Sequence, residues 1–140
     1  MSTPPGTNRP LGIRFAQWVT VILGLWNMGR VAALGRQVDW LSDLSLVPDP
    51  RLRIVMAFIW MALFLMAAFA LQRGYSWSRF LVPLLIAVYG VFEIGMIALY
   101  ATDPPALLPV LLYIALTTLV VWFLWRPATA AYFNTQEMRR

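Results

Sequence analysis

Four runs of predominantly apolar residues, at positions 13–34, 52–71, 80–100 and 106–125, take up more than half of the 140-residue chain. Rising 1.5 Å per residue as a helix, each run is long enough to cross the ~30 Å hydrocarbon layer of a bilayer. The chain is 61% hydrophobic and 12% charged, against roughly 45–50% and about 25% for a soluble domain. So small a chain cannot hide that much apolar surface from water. The expectation is an all-α integral membrane four-helix bundle.

Local punctuation agrees with four helices. Gly35 and Gly74 follow the first and second runs, and Asp49-Pro50 and Asp103-Pro104 set a capping carboxylate before a proline that can open a helix. Pro83 and Pro109 fall within the first turns of the third and fourth runs, where few backbone bonds are lost. The expected spans are about 13–35, 51–72, 79–101 and 105–126, together a domain of residues 13–126. Residues 1–12 are polar and proline-rich and read as a disordered cytoplasmic tail. Residues 37–47 hold Val38, Leu41 and Leu44 at helical spacing beside Trp40, with Asp39 and Asp43 opposite, and read as a short outer interfacial helix. Residues 127–140, with Tyr132 and Phe133 following Trp122, Trp125 and Arg126, read as a cytoplasmic interfacial tail.

Charge sets the orientation. Arg9, Arg14, Arg73, Arg79, Arg126, Arg139 and Arg140 flank the runs on one side; the other side has Arg36, Arg51 and Arg53 against Asp39, Asp43, Asp49 and Asp103. The positive-inside rule therefore places both termini in the cytoplasm, in a bacterial cytoplasmic (inner) membrane, with the lipid bilayer as first partner. The basic pI of about 10.5 reflects this topology, because the arginines are spread over three short segments rather than clustered as nucleic-acid binding requires. Arg9 and Arg14 before an apolar stretch resemble a signal peptide, but the run is longer than the usual apolar region and Arg30 interrupts it, so a retained span is expected.

Chemistry is constrained by what the chain lacks. It has no Cys and no His, which excludes disulfides, thiolate and imidazole catalysis, and His- or Cys-ligated metal or haem supplied by this chain alone. No phosphate-binding loop, hydrolase elbow, dinucleotide fingerprint or zinc-protease motif occurs. The reading is non-enzymatic and without a cofactor. Met56, Met61, Met66 and Trp60 lie in an otherwise apolar second run and read as packing or lipid contact.

The polar residues within the spans carry what information remains. Gln17, Thr20, Gly24, Asn27 and Arg30 recur at steps of three or four along the first run and form a stripe on one helical face. Such a stripe is costly against lipid and should face the bundle interior. Glu93 is the acidic residue within the spans, and it shares a face with Gly90, Ile97 and Tyr100, flanked by Tyr89 and Met96. Counted from the outer ends of their helices, Arg30 lies roughly 8 Å deep and Glu93 roughly 11 Å deep. The expected intramembrane cluster is Asn27, Arg30, Glu93, Tyr113 and Thr117. In one reading Arg30 and Glu93 are a structural pair that fixes the first helix to the third; in another Glu93 exchanges a proton or cation while Arg30 holds it ionised. In a third, one of them faces a partner subunit.

Arg9-Pro10-Leu11-Gly12 at the first span, Asp49-Pro50-Arg51 at the second, the connection from Arg73 to Arg79, and Trp125-Arg126-Pro127-Ala128 followed by Tyr132-Phe133 give the layout a familiar look. It resembles small uncharacterised bacterial four-helix integral membrane proteins, a resemblance that rests on interfacial punctuation and implies no activity. Small multidrug exporters place a glutamate in the first helix, where this chain has Gln17, Asn27 and Arg30; dual-topology fluoride channels need a polar break in the third span, which here reads LVPLLIAVYGVFEIGMIAL. Neither pattern fits. The functional expectation is an accessory or scaffolding subunit of a larger membrane complex, in contact with other membrane subunits or with copies of itself. The alternative is a small oligomeric proton- or ion-coupled transporter or channel using Glu93 and Arg30.

Overall fold

The computed structural model describes residues 9–43, 49–100 and 107–138. They form five helices: α1 (Leu11–Asp43), α2 (Pro50–Arg73), α3 (Ser78–Tyr100), α4 (Leu107–Leu124) and α5 (Pro127–Met138). The first four are long and apolar enough to cross a membrane.

The helix ends follow local chemistry. α1 opens on the carbonyl of Pro10, which accepts from the amides of Ile13 (3.0 Å) and Arg14 (3.3 Å). Asp49 caps α2, its carboxylate accepting from the Arg51 amide at 2.8 Å, with Pro50 in the first turn. At the other end Gly74 takes φ +70°, and the amides of Gly74 and Tyr75 return to the carbonyls of Leu71 and Ala70, both at 3.1 Å. That is the paired bonding of a Schellman stop, which a residue with a Cβ adopts only at a cost. Pro127 follows a carbonyl, that of Arg126, which accepts the Thr129 and Ala130 amides at 3.0 Å and starts α5. Pro83 sits inside α3. The Asp103-Pro104 signal lies outside the described residues.

Two expectations are corrected. Gly35 does not end the first helix: α1 runs unbroken to Asp43, because Gly35 stays in the helical region and the residues after it carry no stop signal. The part of the outer segment up to Asp43 therefore prolongs α1, and residues 44–48 lie outside the described residues. Residues 127–138, read as an interfacial tail, fold into a helix, α5, with Thr129 and Phe133 buried.

Contacts fix the arrangement. Trp60 and Phe64 of α2 meet Tyr89 and Phe92 of α3, Phe80 and Tyr89 of α3 meet Trp125 and Tyr113, and Phe15 of α1 meets Phe123 of α4. These pairings make successive helices antiparallel and set them in a ring, α1 beside α2 and α4, α3 beside the same two, so that α1 and α3 are diagonal and parallel. The end holding the start of α1, the α2–α3 turn, the end of α4 and α5 is the proximal end; the other is distal.

Burial is uneven along this axis. The core of Ile13, Ala16, Phe64, Ala67, Leu71, Val82, Ile86, Tyr89, Val120, Leu124 and Phe133 fills the proximal half and the middle. α5 closes that end: Thr129 donates to the Phe123 carbonyl at 3.0 Å, Phe133 is fully buried, and the Arg79 guanidinium lies over the rings of Trp125 (5.4 Å) and Phe133 (5.8 Å). A Cβ on Gly12 would stand 2.3 Å from the Phe123 carbonyl oxygen and 2.8 Å from Thr129 Oγ1, so this junction admits only glycine. Towards the distal end large apolar side chains such as Val91, Leu99, Leu107 and Leu111 are exposed.

Candidate functional site

The polar stripe of α1 faces inward where the core ends. Thr20 is fully buried and donates to the carbonyls of Ala16 (3.0 Å) and Gln17 (2.9 Å) of its own helix. Gly24 is buried against α2, with Leu65 Cδ2 3.2 Å and Phe64 Cβ 3.6 Å from where its Cβ would be. Gln17 instead turns to the proximal end, where its side-chain oxygen accepts from Arg9 Nη1 at 3.5 Å.

Asn27 and Arg30 reach across the diagonal to α3. Asn27 is fully buried; its Nδ2 donates to the Leu23 carbonyl at 2.9 Å and to the Tyr89 hydroxyl at 3.2 Å. Arg30 Nη1 pairs with Glu93 Oε1. The two contacts are one helical turn apart on each helix, as two parallel helices at matched depth require. The Arg30 side chain is 33% exposed and that of Glu93 18%, so the pair lies at the boundary of the core rather than within it.

Tyr89 holds the cluster together, a role the sequence reading gave only as flanking. Its ring meets Phe64 edge-on (centroids 5.2 Å), Trp60 (5.0 Å) and Tyr113 (5.9 Å), so the hydroxyl stands at a fixed place opposite Asn27. The available signal was its position one turn before Glu93. Tyr113 joins the cluster through this ring contact and packs on Gly90, whose missing Cβ would lie 3.0 Å from Tyr113 Cγ. Thr117 is not brought to it. Its hydroxyl donates to the Tyr113 carbonyl at 2.8 Å, and its side chain lines an apolar groove between α3 and α4 with Ala87, Gly90 and Val91.

A cavity of about 360 Å³ opens beside the pair, between the distal halves of α2 and α3. Arg30, Glu93, Arg53, Trp60, Phe92 and Met96 are among its walls. Arg53 and Trp60 were missed as site residues because the second run reads as uniformly apolar packing. Among the described residues no cluster of three His, Cys, Asp or Glu side chains is placed to hold a metal ion. The arrangement can hold a compensated charge pair at the edge of a dry core and admit a small molecule to its side.

No protein-family model, curated protein or solved structure matches the chain.

Proposed function

We propose that the protein is a non-enzymatic accessory or scaffolding subunit of a larger membrane complex. In this reading α1 to α4 span a bacterial inner membrane, and the arginine-rich proximal end with both termini lies in the cytoplasm. The Arg30–Glu93 pair fixes α1 to α3 across the diagonal.

The observation that carries the reading is the length of α1. Its 33 residues rise to about 50 Å, while the hydrocarbon layer is ~30 Å thick. With α1 entering the membrane at its proximal end, the distal stretch of Arg36, Gln37, Asp39 and Trp40, all exposed, stands clear of the lipid as a rigid helical post. A post rooted in a bundle whose first helix is tied to the third through Asn27 and Tyr89 suits a docking part.

The test is purification of the tagged protein from its native membrane in mild detergent, with native mass determination. Other subunits at fixed stoichiometry are expected, and their release on Trp40→Ser. A homo-oligomer alone overturns the proposal. A second reading, a small oligomeric proton- or ion-coupled transporter using Glu93 and Arg30, is favoured by the cavity that reaches the pair. It predicts flux in liposomes that Glu93→Gln abolishes.

A further inference from the structure

We propose that the seam between α3 and α4 binds one anionic phospholipid, its phosphodiester head on Arg79 at the proximal end and an acyl chain along the seam. The inference needs the four spans to lie in a bilayer and is independent of whether the protein joins a larger complex.

The head site is built from rings. The Arg79 guanidinium lies 5.4 Å from the Trp125 ring centroid and 5.8 Å from that of Phe133. Phe133 is fully buried, and Trp125 is braced edge-on by Phe80 with centroids 5.3 Å apart, so the rings hold the guanidinium in one place. They bring no net charge to it. Arg79 Nε is buried without a hydrogen-bond partner. Among the described residues the ion pair is that of Arg30 with Glu93, and Glu93 lies fourteen residues, about 21 Å, further along α3. The Arg79 guanidinium is thus stacked and fixed but not neutralised, and its planar fork of donors suits a phosphate. Arg126 on the Trp122 ring at 3.9 Å and the exposed Arg14 keep the field at this end positive.

The tail site follows along the same two helices. The contacts of Phe80 with Trp125 and of Tyr89 with Tyr113 fix the antiparallel register of α3 and α4. Between them lies a groove of about 250 Å³ whose walls include Ala87, Gly90, Val91, Ile94, Ile114 and Thr117. Thr117 and Thr118 donate to the carbonyls of Tyr113 and Ile114, both at 2.8 Å, so their hydroxyl protons are spent within α4 and the groove is apolar in effect. Ala87 stands eight residues beyond Arg79, about 12 Å, and Ile94 fifteen, about 22 Å. An acyl chain crosses half of the ~30 Å hydrocarbon layer, ~15 Å, so its last methylenes reach the groove. On the way Phe80 and Leu84, one turn apart on α3 and each 60% exposed, give it an apolar wall. A free phosphate would use the head site alone and a neutral lipid the groove alone; an anionic phospholipid uses both.

The experiment embeds the purified full-length protein in nanodiscs of equal phosphatidylglycerol and phosphatidylcholine and identifies the lipid retained on gas-phase release. Phosphatidylglycerol should be enriched about tenfold, the discrimination that about 1.4 kcal/mol from one charge-assisted contact supplies, and excess inorganic phosphate should not displace it. Arg79→Gln, which removes the charge, and Ala87→Phe, which fills the groove, should each return the ratio to that of the bulk while circular dichroism stays unchanged. Arg14→Gln removes an exposed charge from the same end and should leave the enrichment in place. If Arg79→Gln does not fold, Ala87→Phe and Arg14→Gln carry the test. Equal retention of the two lipids by the wild type overturns the proposal, and so does an enrichment that survives in a folded Arg79→Gln or in Ala87→Phe. Loss of the enrichment in Arg14→Gln also overturns it, since the charged end as a whole would then recruit the lipid. Displacement by inorganic phosphate overturns it too, because the acyl chain would then contribute nothing.

Discussion

Replacing Glu93 and Arg30 singly and together tests what the charge pair contributes. Glu93→Leu leaves the Arg30 guanidinium facing the cavity without its carboxylate, and Arg30→Met strands Glu93. Removing one partner of a fully buried pair costs about 3–5 kcal/mol. Here the side chains retain 33% and 18% exposure and the adjoining cavity offers room for water, which screens the stranded charge. The expected cost is therefore lower, about 2 kcal/mol for each single change, or roughly thirtyfold in the folded-to-unfolded ratio. The double variant strands nothing and should lie within about 1 kcal/mol of the wild type. The resulting coupling of about 3 kcal/mol exceeds the ~1.7 kcal/mol ceiling seen for hydrogen bonds between membrane helices, so it separates a charge pair from an ordinary polar contact. Unfolding by dodecyl sulfate in mixed micelles, followed by tryptophan fluorescence, reads all four corners of the cycle. Costs that simply add in the double variant would refute the reasoning, and so would a Glu93→Leu protein as stable as the wild type.

Two further substitutions probe the neighbouring contacts. Gly12→Ala should destabilise the bundle by about 2 kcal/mol, since its Cβ would meet a backbone carbonyl that cannot turn away, and hydrogen exchange should show α5 losing protection first; an unchanged α5 would show that the junction yields. Tyr89→Phe removes the hydroxyl that accepts from Asn27 while the Leu23 carbonyl still holds the same amide, so the cost in the same titration should be about 1 kcal/mol or less; a loss comparable to that of Glu93→Leu would mean the hydroxyl also positions the charge pair.

The four long helices were legible because their signals are local. A carboxylate before Pro50 and a glycine after Arg73 act within a turn, and both fall where the sequence places them. Gly35 misled because glycine stops a helix only when the chain after it leaves the helical path, and Val38 at the next turn keeps the pattern going. α5 was read as a surface tail because the groups that bury it, Gly12, Phe123 and Arg79, are remote in sequence and come together only once the ring closes. Depth counting set Arg30 and Glu93 in one layer from a helix end near Gly35; α1 in fact runs on to Asp43, and the two side chains nevertheless pair. It could not separate Tyr113 from Thr117. One turn of four residues advances about 40° beyond a full circle and ~6 Å along the axis; both residues line the α3–α4 groove, and Tyr113 also reaches the Tyr89 ring. Tyr89 was undervalued because an aromatic side chain in an apolar run serves packing as readily as hydrogen bonding, and only its ring neighbours Trp60, Phe64 and Tyr113 decide which.

The division of labour among the contacts explains why the cavity and the charge pair occur together. Adjacent helices are joined by aromatic contacts and by glycines that admit a neighbour, contacts that need close approach. Across the diagonal Asn27 donates to Tyr89, and one turn on Arg30 pairs with Glu93. The Arg30–Glu93 pair, with side chains 33% and 18% exposed, sits where the core gives out. At that level the gap between α2 and α3 begins. A ligand entering it meets the pair from the side, and anything that pulls α1 away through its distal post loads the same bridge. If the post docks to a partner and a ligand occupies the cavity, the two events share one link, and each should alter the other's affinity by an equal factor.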